Sequence, residues 1–307
     1  MNLREWALPI YTIMMQLAIG ALFSLWVIRK LFNTKYGKKR MDEIATIPVF
    51  IIFSTMIVAT IGSHFHLSKP HLSFLALRNF GSSWLSREIA FTLIVFISTG
   101  ALLFFLVFKK KLFYIKTFLG WAAILIGFVT IYSMANIYLL PTQVAWNSPV
   151  TIISYYAVML LLGPVSMIVI FLMDLRFSTG RLKGDVIDYV QIIKKSIPWL
   201  VVVATITSLL NIALGLYQIE LLRDMAQPSA QASLELVLGL YKPLLIMRIG
   251  FALVGIVWLN GIVSYFIRSQ RVIINLLGPV SIACTLILIG EILERFLFYA
   301  THVRIGI

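Results

Sequence analysis

Eight apolar runs of about twenty residues, set apart by short charged or proline-containing loops, constrain this chain more than any other feature. A bilayer core about 30 Å thick takes roughly 20 residues of helix to cross. The runs at approximately 9–31, 46–66, 88–108, 113–138, 150–173, 198–221, 246–267 and 273–298 meet that length. They lack the alternation of barrel strands. Composition agrees, since 60% of the 307 residues are hydrophobic and 12% charged. A soluble globule cannot cover that much apolar side chain with polar surface. The expected fold is all-α: a polytopic membrane protein with eight transmembrane helices in one bundle, a single integral membrane domain over residues 1–307.

The net charge of +14, from 26 Lys and Arg against 12 Asp and Glu, would suit nucleic acid if the basic residues formed one face. They sit instead in short clusters between apolar runs, so no nucleic-acid partner is expected. Arg29, Lys30, Lys35, Lys38, Lys39 and Arg40 follow span 1, and Lys109, Lys110, Lys111 and Lys116 follow span 3. Arg176, Arg181, Lys183, Lys194 and Lys195 follow span 5, and Arg268 and Arg271 follow span 7. The positive-inside rule makes these loops cytoplasmic and both termini extracytoplasmic. Span 1 carries its basic cluster behind it and reads as a retained helix. Residues 177–195 are expected to form an interfacial helix with Val186, Tyr189 and Ile193 towards lipid. The single cysteine, Cys284, lies in an apolar run, so the chain has neither a disulfide framework nor a thiolate cluster.

Ionisable groups inside spans are costly and usually face the bundle interior, so their depth is informative. His64 and His66 fall at the outer end of span 2, about 200° apart, so only one of them can face inward. Glu291, Glu294, Arg295, Tyr299 and His302 cluster at the outer end of span 8, where Glu291, Arg295, Phe298 and His302 form a stripe along one face. Glu291 and Arg295 are spaced to pair. Arg87 and Glu88 open span 3, Gln218 and Glu220 close span 6, and Arg248 lies just inside span 7. The inner halves hold little beyond Asn260. Five helices thus bring polar groups to one outer level. Snorkelling to water is the plain alternative for any one of them, but carboxylates snorkel poorly and a repeating Glu, Arg and His face suggests a lined cavity. Trp84, Trp146 and Tyr299 read as an aromatic belt.

Such a pocket suits a quinol, whose oxidation releases two electrons and two protons from phenolic oxygens. An inward imidazole can accept a proton, carboxylates can relay protons outward, and an arginine can stabilise a quinolate anion. The low cysteine content leaves the electrons to a separate carrier. Two alternatives remain: a bis-histidine haem held by His66 and His302 in a cytochrome b-like anchor, and a secondary transporter, for which polar groups belong nearer the midplane.

The segment SHFHLSKPHLSFLALRNFGSSWLSREIAF (63–91), with GEILERFLFYATHVRIG (290–306) downstream, resembles the DmsC-type membrane anchor subunits of the bacterial dimethyl sulfoxide reductase family. The resemblance extends to Gly163-Pro164 in span 5, Gln218 and Glu220 ending span 6, and Tyr241 to Arg248 opening span 7, with departures at Lys69-Pro70 and Glu294. It implies a subunit of the bacterial cytoplasmic membrane that oxidises menaquinol to menaquinone in anaerobic respiration. Such a subunit anchors an iron–sulfur subunit and a molybdopterin catalytic subunit outside, with no metal or haem of its own. His66 matches the family's key histidine and Glu88 its glutamate opening span 3. His66, Glu88 and Glu291 are the expected proton-handling residues, and His66, Arg87, Glu220, Arg248, Arg295 and His302 the expected quinol-binding set. The loops 67–87 and 222–245 are expected to form short amphipathic helices that dock the iron–sulfur subunit, through Leu72, Leu75 and Phe80 in the first and Leu234 and Leu238 in the second. His66→Ala is expected to leave assembly intact and abolish quinol-dependent turnover, while a viologen-type donor still drives the partner subunits.

Overall fold

The computed structural model describes residues 3–64, 70–109, 111–177, 186–269 and 273–303. These residues contain helices and no strand: α1 (Leu3–Tyr36), α2 (Lys38–His64), α3 (Trp84–Phe108), α4 (Phe113–Asn136), α5 (Pro149–Phe177), α6 (Val186–Asp224), α7 (Pro228–Leu238), α8 (Lys242–Ser269) and α9 (Leu277–Ala300), with 3₁₀ segments at Pro70–Asn79 and Ile273–Leu276. All but the short α7 are long and apolar enough to cross a membrane, which makes eight candidate spans. The 3₁₀ segment at Pro70–Asn79 and α7 fall within the two loops expected to hold short helices.

Helices α1 and α5 are the axis of the bundle. They bury 72% and 78% of their spanning windows, against 28% to 50% for the rest. Their close approach is a matter of missing side chains, for Gly20 of α1 packs on the backbone of α5 at Met159 and Gly163. A Cβ on Gly20 would lie 2.9 Å from the Gly163 Cα, inside any real carbon contact. Trp26 rests in the same way against Gly120 of α4. Pro164 sits inside α5 and cannot donate to the Leu160 carbonyl one turn earlier. That carbonyl accepts from Thr207 Oγ1 of α6 at 3.3 Å, so the neighbouring helix supplies the bond that proline removes.

At the pole where α1 ends and α2 begins, the structure corrects two sequence expectations. Arg29 and Lys116 are not solvated loop charges: they are buried, and both pair with Asp42, at 2.7 and 2.6 Å. Arg29 also donates to Thr117 Oγ1 and lies over the Phe113 ring. Carbon-rich stems let Arg and Lys reach such a site, and Asp42 offsets the cost of placing them there. Nor does an interfacial helix form around Tyr189. From Val186 the chain runs straight into the long α6, Tyr189 and Ile193 are fully buried, and the Tyr189 phenol donates to Asp174 of α5.

Because Gly20 meets backbone rather than a yielding side chain, Gly20→Ala is expected to destabilise the folded chain by about 1–3 kcal/mol, the usual cost of overpacking. Gly62→Ala, where nothing lies within 4 Å, is expected to leave the thermal midpoint of the detergent-solubilised protein unchanged.

Candidate functional site

At the opposite pole the predicted stripe on α9 is buried. Glu291 is 3% exposed and Arg295 1%. They do not form the ion pair their spacing allows, because each is taken by a different helix. Asn211 Nδ2 of α6 donates to both Glu291 oxygens, at 2.9 and 2.8 Å. Arg295 Nη2 donates to Gln16 Oε1 of α1 at 3.1 Å, and Gln16 Nε2 donates to the Tyr155 carbonyl of α5 at 2.8 Å. The Arg295 guanidinium stands 4.0 Å above the Tyr155 ring, a cation–π contact that is stronger when desolvated. Arg248 of α8 joins from the other side, donating to the Asn211 carbonyl at 3.2 Å. It has room to do so because Gly215 faces it: a Cβ there would lie 2.5 Å from an Arg248 terminal nitrogen.

A second group of side chains continues towards α3 and α4. The Tyr138 and Tyr299 hydroxyls are hydrogen-bonded to each other. Glu88 is 5% exposed and lies within electrostatic reach of Tyr11 and Tyr138. Tyr11 also shares a 3.0 Å hydrogen bond with Thr92. The Trp146 indole donates to the Phe298 carbonyl at 2.6 Å and stacks between the Phe298 and His302 rings. His302 Nδ1 is 2.5 Å from the Tyr299 carbonyl. A carbonyl can only accept, so Nδ1 carries a proton and donates to it. Trp146 and Tyr299 are therefore parts of this packed cluster as well as residues of an aromatic belt level.

The cluster has unused hydrogen-bonding capacity. Arg295 Nε, Asn211 Oδ1 and Gln218 Oε1 are buried with no partner among the described residues. A buried polar atom left unmet costs about 1–3 kcal/mol. Two of these residues, Asn211 and Gln218, line a cavity of about 100 Å³ together with Trp146, Gly215, Arg248 and Glu294.

Not every expected residue joins. Arg87 turns to its own loop, donating to the Phe80 and Gly81 carbonyls and covering Trp84. Glu220 is exposed and paired with Arg223 at 2.6 Å. His66 lies outside the described residues. The elements flanking it, α2 and the 3₁₀ segment at Pro70–Asn79, both pack on α3, the helix that carries Glu88. Tyr11, Gln16, Tyr138, Tyr155 and Asn211 take part without having been singled out. For Asn211 a signal existed, since Asn211, Gly215 and Gln218 follow the same i, i+4, i+7 spacing as the α9 stripe. Among the described residues, no group of three or more His, Cys, Asp or Glu could hold a metal ion.

Asn211→Leu removes both bonds to the Glu291 carboxylate and is expected to lower stability by about 1–3 kcal/mol. Adding Glu291→Met should cost less than the sum of the single changes, because no carboxylate is then stranded. Thermal unfolding of the four proteins in detergent checks this, with strict additivity as the contrary result.

The DMSO reductase anchor subunit (DmsC) family model matches residues 1–301. The sequence is 25% identical over 306 residues to YnfH, an anaerobic dimethyl sulfoxide reductase chain of Escherichia coli, covering 98% of this protein and 96% of that one. It is also 29% identical over 164 residues to the C subunit of the anaerobic dimethyl sulfoxide reductase of Haemophilus influenzae, covering 53% of this protein and 57% of that one. The protein belongs to the DMSO reductase anchor subunit family.

Proposed function

We propose that this member of the DMSO reductase anchor family is the quinol-oxidising subunit of its complex, passing electrons from menaquinol to an iron–sulfur partner that feeds a molybdopterin catalytic subunit. The observation that carries the reading is the burial of Glu88, Glu291, Arg248 and Arg295, from α3, α9 and α8, within candidate spans. Charged groups are kept inside a membrane bundle at considerable cost, and a redox reaction that releases protons there has use for both signs.

In this reading the ring is received beside α3 at Glu88. Arg295, held by Gln16 and Tyr155, supports negative charge as phenolic protons leave. His302 stands at the same level, its Nδ1 turned to the Tyr299 carbonyl. Arg87 and Glu220 play no part in it, since both face away from the cluster.

The basic loops lie at the pole of Arg29 and Asp42, and the positive-inside rule makes that pole cytoplasmic. Both termini, the cluster and α7 are then extracytoplasmic, in the bacterial inner membrane. Leu238 of α7, with Leu75 and Phe80 at the other short segment, supplies the surface on which the iron–sulfur subunit docks, while Leu234 packs inward on Val144, Leu222 and Ala230. Protons and electrons leave the quinol on one side. Proteoliposomes holding the whole complex are therefore expected to turn over with a menaquinol analogue while generating no membrane potential. Absence of quinol-driven turnover would overturn the quinol reading, and a substantial potential would overturn the sidedness.

A further inference from the structure

The cavity between α5, α6, α8 and α9 shares Trp146, Asn211, Arg248 and Phe298 with the cluster, and its position suggests a use of its own. At about 100 Å³ it is smaller than the roughly 150 Å³ void that accepts a benzene molecule. At roughly 10–15 Å³ of such space per molecule it has room for several waters. Among the described residues Asn211 Oδ1 and Gln218 Oε1 are buried without partners, and Thr151 and Ser154 add hydroxyls. The lining reaches from Asn211 to Leu222 on α6, roughly 16 Å of helix rise, and ends against Val237 of α7 at the pole of the chain termini.

We infer that this cavity is a water-filled proton outlet and that Glu294 is its relay group, a deepening that rests on the quinol reading above. Glu294 lies one turn from Glu291 on α9 and lines the cavity, half-buried and engaged in no hydrogen bond or ion pair with the described residues. The charged and titratable groups around it are Arg248 from α8, Tyr155 from α5, and Glu291, Arg295 and Tyr299 from its own helix. Oxidation of one quinol to the quinone releases two protons and two electrons. The electrons go to the iron–sulfur subunit. A proton arriving at Glu291 passes to Glu294 and then along the cavity waters to the outer surface. Asn211 is a positioning residue here: its Nδ2 fixes the Glu291 carboxylate and leaves Oδ1 to the cavity. Gly215 keeps Arg248 folded back against α6, so that its side chain borders the water column rather than filling it.

The test uses the complete complex with a water-soluble menaquinol analogue, comparing wild type, Glu294→Gln and Glu294→Asp. Glu294→Gln is expected to lower quinol-dependent turnover roughly tenfold or more and to raise the solvent deuterium isotope effect. Glu294→Asp, or a small weak acid added to the Gln variant, should restore much of the rate, and viologen-driven turnover of the partner subunits should not change. Wild-type rate and isotope effect in Glu294→Gln would overturn the outlet. So would a loss that neither Asp nor the weak acid repairs, because that is the signature of a structural role. A wild-type complex that fails to oxidise the quinol would instead remove the reading on which the outlet rests, before any variant is compared.

Discussion

In a bundle surrounded by lipid, a polar side chain inside must find its partner within the protein or its cavities, since lipid supplies none. That constraint organises this molecule. Arg295 is held by Gln16 of α1 and the ring of Tyr155 of α5, and Glu291 by Asn211 of α6. Each bond joins helices distant in sequence, and together they fix α9 against the central α1–α5 pair. At the other pole Asp42 does similar work for Arg29 and Lys116, joining the ends of α1, α2 and α4. Between the poles the packing is almost wholly apolar, with glycines setting how closely the helices approach.

The two polar poles differ in a way that bears on function. Around Asp42 the charges are matched by direct contacts of 2.6 to 2.7 Å, although Arg29 Nε and Asn33 Oδ1 are buried without a partner among the described residues. Around Arg295 and Asn211 several buried atoms lack partners, and a cavity adjoins them. Unmet buried donors and acceptors are a standing cost at either pole, and the cavity lined by Asn211 and Gln218 is what sets the Arg295 pole apart.

Much of this was legible in the sequence, and the limits have physical causes. The spans could be read because bilayer thickness sets a length that no loop imitates. The α9 stripe could be read because its residues share a face, and both Glu291 and Arg295 prove buried. Their partners could not be read, because periodicity gives the face of one helix and not which helix lies opposite. Arg87 and Glu220 lie at the right level but on the wrong side. Helical residues advance about 100° each, so Arg87 turns away where Glu88 turns in, and Glu220 where Gln218 faces the cavity. Arg29 and Lys116 were misplaced for a different reason: a basic residue near a span end looks the same in sequence whether it meets water or a buried aspartate. Tyr189 belongs to the same class, its burial depending on Asp174 in another helix.

The central claim is that an arginine held dry between α1, α5 and α9 helps to form the place where a quinol is bound. Its most direct test is equilibrium binding of a fluorescent quinol-analogue inhibitor to the intact complex, comparing the wild type with Arg295→Gln after matching their thermal stability. The account predicts that affinity falls about tenfold or more, in line with the loss of a charge-assisted contact in a desolvated site. An unchanged dissociation constant would contradict it.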